Sequence, residues 1–142
     1  MMRKGQVEAA INASITKFER EMLGRGPKEA RTFIIDDLVV VRLKGILSLG
    51  EQQLATQPGG IELIKQMRTR LVESFAAELS HLVEEQIGIQ VVSMHTDIST
   101  RTGERVFVFT LEKDAEAELA ARDASSLNPE QPPLTNRIGW AC

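Results

Sequence analysis

The sequence predicts an α+β fold: a two-layer sandwich, ordered helix–hairpin–helix–hairpin, with a four-stranded antiparallel sheet. Two observations lead to this prediction. Segments 33–44 and 90–111 each contain two short runs rich in β-branched and aromatic residues, separated by turn-forming residues, as β-hairpins do. Segments 5–23 and 61–87 repeat apolar residues every three or four positions, as amphipathic helices do. Helices and hairpins that alternate along one chain are typical of helices layered on a single antiparallel sheet.

The first hairpin is predicted to turn at Asp36 and Asp37, between strands over 33–35 and 38–44. Successive side chains of a strand point to opposite faces of a sheet, and in this hairpin both sets are mainly apolar. A sheet with one hydrated face would alternate apolar and polar residues instead. Helices on one side would leave the other apolar face uncovered, so the sequence favours a homodimer that buries it.

The first helix is predicted to end at Gly24-Arg25-Gly26-Pro27, where glycine can adopt the left-handed cap and proline stops the helix. A second interpretation stays open, in which the glycines let backbone N–H groups converge on an anion and nearby basic side chains add charge. The segment is not a P-loop, since neither a preceding strand nor a Gly-Lys-Ser/Thr run accompanies it. The candidate contacts to a ligand or partner are Gly24, Arg25, Gly26 and Lys28.

Segment 61–87 is predicted to be one long helix with a broad apolar stripe. At a rise of ~1.5 Å per residue it would be about 40 Å long, more than short strands can cover. One end is therefore expected to project or to pack on a second subunit. The basic residues Lys65, Arg68 and Arg70 are assigned to its solvent-exposed face, or alternatively to a surface complementary to a partner helix.

The second hairpin is predicted to have strands over 90–97 and 105–111. In the first of these strands, Val91, Ser93 and His95 are expected on one face of the sheet. Each strand again carries apolar residues on both faces. This second doubly apolar hairpin strengthens the expectation of a buried sheet surface on each side.

The connection within this hairpin is a candidate functional turn. This connection contains about seven residues, nearly all of them polar, although two to five residues are usually enough to join two strands of a hairpin. The planar guanidinium of Arg101 suits a carboxylate or a phosphate-like group. The alternative is that Arg101 only pairs with Asp97 or Glu104 across the turn. The candidate contacts to a ligand or partner are His95, Asp97, Ser99, Thr100, Arg101 and Arg105.

No catalytic or metal-binding motif is recognisable in the sequence. His95 and Asp97 at alternate strand positions could place an imidazole and a carboxylate on one face, but Ser93 on the same strand has the wrong geometry for a nucleophile. His81 lies on the long helix without a second His or Cys nearby. We therefore expect a non-enzymatic protein with no cofactor and no metal.

The chain of 142 residues has a formal net charge of −3. This balance gives no general attraction to nucleic acid, so nucleic acid is not an expected partner. Residues 1–111 carry equal numbers of acidic and basic side chains, so the negative excess lies beyond them. We predict a single α+β domain over 1–112. Residues 113–142 are predicted to be an acidic, Ala- and Pro-containing C-terminal extension that is flexible and includes Trp140.

No apolar run approaches the ~20 residues of a membrane-spanning helix. No signal-peptide-like apolar region follows the basic N-terminus, and the single cysteine, Cys142, excludes an internal disulfide framework. These features predict a cytoplasmic protein without direct membrane insertion. If it acts at a membrane, a membrane-protein partner must recruit it to the inner face.

Four segments together resemble one bacterial family, the YbcI-type domains of unknown function, named after MpsC of a sodium-translocating, membrane-potential-generating system. They are GRGPK (24–28), IIDDLVVVRLKG (34–45), EQQLA (51–55) and VVSMHTDISTRTGERVFVFTL (91–111). The resemblance covers about residues 5–112, and the string HTDISTRTGE within the last segment is its most specific part. It brings no catalytic residues to carry over to this chain.

The resemblance implies a small cytoplasmic protein that accompanies membrane subunits in ion or inorganic-carbon handling. Two functions of different class follow as expectations. The first is a non-enzymatic accessory protein that binds such membrane subunits. The second is a regulatory module that binds a small anion or another small ligand through the two candidate segments.

Overall fold

The computed structural model describes residues 3–127 as one antiparallel sheet with helices packed on it. The strand order in the sheet is β1-β2-β4-β3, so β2 and β4 are central and join the two hairpins. The predicted α+β fold with a four-stranded antiparallel sheet is confirmed. The elements are α1 (Lys4–Leu23), β1 (Glu29–Ile35), β2 (Leu38–Lys44), α2 (Leu49–Leu54), α3 (Gly60–Ser74), α4 (Ala76–Ile87), β3 (Val91–Ser99), β4 (Glu104–Leu111) and α5 (Ala115–Leu127).

The sheet has a covered inner face, which packs against α1, α4 and α5, and an outer face that no described helix covers. On β2, Val39 is fully buried whereas the neighbouring Val40 stays partly exposed. On β4, Phe107 and Val108 show the same contrast. This alternation follows from the strand period of two. The inner face consists mainly of Thr32, Ile34, Val39, Val41, Leu43, Ile98, Arg105, Phe107, Phe109 and Leu111.

Phe75 divides the segment that the sequence predicted as one helix. Its backbone leaves the helical region at φ −109° and ψ 12°, so α3 ends there and α4 begins. The Phe75 ring packs edge-on against Phe18 of α1, with ring centroids 5.2 Å apart. The apolar repeat of the sequence does not reveal this break. The buried residues on either side, Val72 and Leu79, are seven positions apart, which is a spacing that an unbroken helix would also show. The prediction of a single long helix was wrong, and its length no longer argues for a second subunit.

A β-bulge near the start of β3 changes which residues share a face. Val91 pairs with Leu111 and packs against the inner-face core, but the register shifts before Ser93. Val92 consequently lies 65% exposed. The prediction that Val91 shares a face with Ser93 and His95 was wrong, because a bulge inserts one extra residue into the alternation.

The packed body continues past Glu112, where the sequence analysis placed its end. Ala115 and Leu119 of α5 are buried in the core, and the Ala115 N–H donates to the Asp36 carbonyl at 2.7 Å. Asp36 holds the left-handed backbone conformation, φ 53°, that suits Asp in a tight turn. One alanine and one leucine make too narrow an apolar stripe to detect in the sequence. Residues 128–142, with Trp140 and Cys142, lie outside the described residues.

The α5 anchor gives a stability prediction. Leu119→Ala should lower the free energy of unfolding by about 2–3 kcal/mol, since it removes a buried side chain and leaves a cavity. The matched control is Leu63→Ala on α3, where the same deletion at a 58% exposed side chain should change stability by less than ~0.5 kcal/mol. Urea denaturation of both variants measures the difference. Equal small effects would show that α5 does not contribute to the core.

Candidate functional site

The two segments singled out in the sequence, 24–28 and the turn around 99–103, meet at one surface cleft of about 230 Å³. The sequence indicated each segment separately, and it contained no signal that they would be neighbours. The cleft lies where β2 ends and β4 begins, because these two strands are adjacent and antiparallel. It is lined by Lys28, Gly45, Leu47, Gln52, Thr100, Arg101, Thr102 and Gly103.

Backbone hydrogen bonds fix three of the chain segments that form the cleft. The Lys28 N–H donates to the Lys44 carbonyl at 2.8 Å, and the Ile46 N–H donates to the Gly103 carbonyl at 3.1 Å. Gly45 between them has φ 68°, a left-handed conformation that favours glycine. A Cβ at Gly45 would also lie only 2.7 Å from the Lys28 side chain. Glycine is therefore required at this position by both conformation and space.

The cleft carries two cations that are free of partners among residues 3–127. The side chains of Lys28 and Arg101 are exposed and make no hydrogen bond or ion pair in this part of the chain. None of the residues that line the cleft is acidic. The two carboxylates proposed as turn partners of Arg101 are engaged elsewhere: Asp97 Oδ1 lies 3.6 Å from Lys65 Nζ, and Glu104 pairs with Arg42. The structure therefore does not show Arg101 as one half of a turn salt bridge.

A buried ion pair supports the cleft from behind. Arg68 on α3 donates from Nε and Nη2 to the two carboxylate oxygens of Glu51, at 2.8 and 2.7 Å. The same Nη2 donates to the Ile46 carbonyl at 3.2 Å, so Arg68 also holds the loop that follows β2. Arg25 also holds this loop, since its side chain donates a hydrogen bond to the Leu47 carbonyl at 2.9 Å. Arg25 is thus a positioning residue for the cleft wall and not an exposed anion contact.

Sequence reasoning missed the Arg68–Glu51 pair, although two signals pointed to it. Ser48 and Glu51 form a capping box at the start of α2, since the Ser48 Oγ accepts the Glu51 N–H at 3.1 Å and the Ser48 N–H donates to Glu51 Oε1 at 2.9 Å. Arg68 lies four residues from Ile64 and four from Val72, on the buried stripe of α3. The prediction of a solvent-exposed Arg68 was wrong, as the residue is 4% exposed.

The environment of Glu51 changes its acidity. Burial would raise the pKa of the Glu51 carboxyl, but the hydrogen bonds from Arg68 and Ser48, together with the Arg68 charge, outweigh burial and hold that pKa below its ordinary value. The carboxylate therefore stays ionised well into the acidic range. Its charge is available to neutralise Arg68 whenever the protein is folded near neutral pH.

Arg105 is not the surface contact that the sequence analysis predicted. It is 1% exposed, its Nη1 donates to Thr96 Oγ1 at 2.7 Å, and its guanidinium stacks over the Phe107 ring at 5.5 Å from the centroid. Strand alternation explains the error, since residue 105 shares the inner face with 107, 109 and 111. Its role is therefore in the core.

Glu19, Arg68 and Arg105 form a buried charge cluster that links α1, α3 and β4. Burial raises the pKa of Glu19, and the positive charges of Arg105 and Arg68 oppose that rise. Burial lowers the pKa of Arg105, while Glu19 counteracts the shift. All three side chains are closed to solvent. Within residues 3–127, the buried atoms without a hydrogen-bond partner are Glu19 Oε2, Arg68 Nη1, and Arg105 Nε and Nη2.

The remaining candidate residues have other positions. Gly24 is the left-handed cap of α1 with φ 90°, and Gly26 lies partly buried against the Arg20 side chain. The Ser99 Oγ accepts the Thr102 N–H at 3.3 Å, so it shapes the turn. Thr100 lines the cleft beside Arg101.

His95 and Asp97 lie on the outer face of β3, away from the lining of the cleft. The Asp97 carboxylate accepts from the Ile98 N–H at 2.8 Å and faces Lys65, so it does not orient the His95 imidazole. Within the described range 3–127 there is no group of three or more His, Cys, Asp or Glu side chains placed to hold a metal ion. In the same range, no helix is both long and apolar enough to cross a membrane.

The fold and the cleft define a small α+β protein with a cationic surface cleft held by a buried ion pair. The chain belongs to the MpsC family, described as "Na+-translocating membrane potential-generating system (MpsC)", which it matches over residues 3–113. The resemblance drawn from its sequence segments is therefore confirmed.

Two relatives from Bacillus subtilis (strain 168) share most of their length with this chain. The uncharacterized protein YbcI is 44% identical over 116 residues, which is 82% of this chain and 94% of YbcI. The uncharacterized protein YrhF is 29% identical over 112 residues, which is 78% of this chain and 92% of YrhF. No solved structure matches the chain.

The buried ion pair gives a pH-dependent prediction. Glu51→Gln should lower the free energy of unfolding at neutral pH by about 3 kcal/mol, because it leaves the Arg68 charge buried and unpaired. Since the folded pKa of Glu51 is depressed, its stabilisation is complete above the unfolded pKa of about 4.3 and is lost as the pH falls through the folded pKa. The gap between wild type and variant should therefore narrow in acid.

Denaturant titrations at several pH values measure this gap. The control is Glu73→Gln, at an exposed position of α3, the helix that carries Arg68, which should change stability by less than ~0.5 kcal/mol at every pH. A gap that stays constant from neutral pH to well below the unfolded pKa would contradict the assigned ion pair.

Proposed function

We propose that this protein is a non-enzymatic accessory protein that binds membrane subunits of an ion or inorganic-carbon handling system through the cationic cleft. The description of its family, a Na+-translocating membrane potential-generating system, supports the kind of partner. The proposal places the protein in the cytoplasm, recruited to the inner face of the membrane by that partner. Neither a cofactor nor a metal takes part.

The observation that carries the proposal is a pair of cations at one cleft, Lys28 and Arg101, that have no partner among residues 3–127. The planar guanidinium of Arg101 can bind a carboxylate through two parallel hydrogen bonds, and the Lys28 ammonium adds a point charge. The lining side chains include no carboxylate and no histidine, the commonest general bases. A binding role therefore fits the cleft better than a catalytic one.

An apolar surface adjoins the cleft and favours a protein as the occupant. Helix α2 contributes Gln52 to the cleft, while Leu54 on the same helix lines a second hollow with Leu63 and Met67 of α3. We call the exposed apolar residues here the α2–α3 patch. A free anion would use only the cleft, whereas a protein segment with an acidic side chain beside apolar ones could use both. The patch consists of Leu49, Leu54, Ile61, Leu63 and Met67.

The proposal is tested by affinity capture from detergent-solubilised membranes of the source organism. Wild-type protein should retain integral membrane proteins in a salt-sensitive manner. Arg101→Ala and Lys28→Ala should reduce this capture about tenfold, as expected for loss of a charged contact worth about 1.4 kcal/mol. Both variants should keep the wild-type unfolding free energy within ~0.5 kcal/mol, since both side chains are exposed and neither has a partner in the part of the chain that the structure describes.

Lys113→Ala is the matched control, since it removes an exposed positive charge beyond the opposite end of β4 from the cleft. It should leave capture unchanged. Capture that survives both cleft substitutions would overturn the proposal, and so would a captured set without membrane-spanning proteins.

A second candidate function is a regulatory module that binds a small anion. The cleft volume of about 230 Å³ favours it, since that is below the ~300–1,000 Å³ of pockets for drug-sized ligands and is suited to a compact anion. Lys28 and Arg101 would have the same roles in this function. Both candidates use the cleft to bind an anionic group, and they differ in whether the α2–α3 patch also takes part in binding.

A further inference from the structure

The outer face of the sheet has an apolar centre that no described helix covers. In register across the four strands, Phe33, Val40, Val108 and His95 form one row. The next row towards the hairpin turn at Asp36 contains apolar residues on β1 and β2, of which Ile35 is 48% exposed. Contiguous exposed apolar surface of this kind marks an interaction site more often than an ordinary surface.

Charge on this face is divided between the two hairpins. Arg31, Arg42 and Lys44 point outward from β1 and β2, whereas Asp97 and Glu104 point outward from β3 and β4. The exception is Glu29, at the far end of β1. A surface with opposite charges on its two halves is complementary to a second copy of itself if the halves are exchanged across the interface.

The strand register selects one symmetry axis. A two-fold axis that lies between two stacked sheets, parallel to the strands, exchanges β1 with β3 and β2 with β4. It sets Val40 against the partner's Val108 and Arg31 against the partner's Asp97, because each pair shares a row. A two-fold axis in the same plane but perpendicular to the strands would set the Arg42 row against the apolar row of Leu38. The first arrangement therefore sets apolar Val40 against Val108 and opposes the charges of Arg31 and Asp97. It also sets Arg42 against Val106 and Leu38 against Thr110, so the match is confined to part of the face.

We propose that the protein forms a homodimer through the outer face of its sheet, about a two-fold axis parallel to the strands, with Arg31 paired to the partner's Asp97. Asp97 would exchange its contact with Lys65 for this pairing. Its side chain is 81% exposed, and its contact with Lys65 is 3.6 Å long. The proposal is independent of the cationic cleft, whose lining does not include any of these residues.

The wild-type mass in solution is the first test, by sedimentation equilibrium. It should correspond to twice the chain mass of 15.7 kDa. Val108→Asp should give a monomer, because it places an unpaired carboxylate in the apolar centre of the interface. A wild-type monomer at high micromolar concentration would overturn the proposal.

Charge-reversal variants of Arg31 and Asp97 test the interface even if Val108→Asp fails to fold. Arg31→Glu alone and Asp97→Arg alone should each raise the dimer dissociation constant about tenfold, since two-fold symmetry puts each repulsive contact in the interface twice. The double variant Arg31→Glu/Asp97→Arg should restore the wild-type constant, because the opposed charges are paired again. Arg70→Glu, on α3 outside this face, should have no effect.

If the double variant restores the wild-type dimer dissociation constant, the result supports the strand-parallel axis. An axis that does not set residue 31 opposite the partner's residue 97 could not produce this rescue. A dimer that is insensitive to both single changes would overturn the proposed interface. Single changes that weaken the dimer without rescue in the double variant would overturn the proposed pairing.

Discussion

The cationic cleft depends on the buried ion pair between Arg68 and Glu51. A guanidinium that is 4% exposed requires a carboxylate partner, since the desolvation of an unpaired charge costs several kcal/mol. That requirement fixes α2 against α3, and the further bond from Arg68 to the Ile46 carbonyl fixes the loop after β2. The cleft wall is thus held from behind, and Lys28 and Arg101 in front of it make no ion pair with any residue of the described range 3–127.

The positive character of the cleft comes from the distribution of charge, since the whole chain is acidic with a net charge of −3. Within residues 3–127, three carboxylates near the cleft are already paired: Glu51 with Arg68, Glu104 with Arg42, and Asp97 with Lys65. Lys28 and Arg101 have no such partner in the described part of the chain. A local excess of this kind is what attracts an anionic group at short range, where screening is weak.

Local patterns in the sequence were sufficient for the hairpins, the first helix and the fold class, because strand and helix periods are properties of neighbouring residues. The break at Phe75, the bulge at Val92 and the packing of α5 depend on contacts with distant residues. The cleft shows the same limit. Segment 24–28 and the turn around Arg101 were each recognisable, but they meet only because β2 and β4 are adjacent. The burial of Arg105, by contrast, could have been predicted from strand alternation alone.

The most direct test of the cleft as an anion-binding site is a titration of ¹⁵N-labelled protein with inorganic phosphate, followed by amide chemical shifts in NMR. Saturable shifts should be concentrated at the amides of Gly45, Thr100, Arg101, Thr102 and Gly103, and should be lost in Arg101→Ala but kept in Lys113→Ala. Shifts that do not saturate, or that are spread over the helices and the outer face of the sheet, would contradict the account.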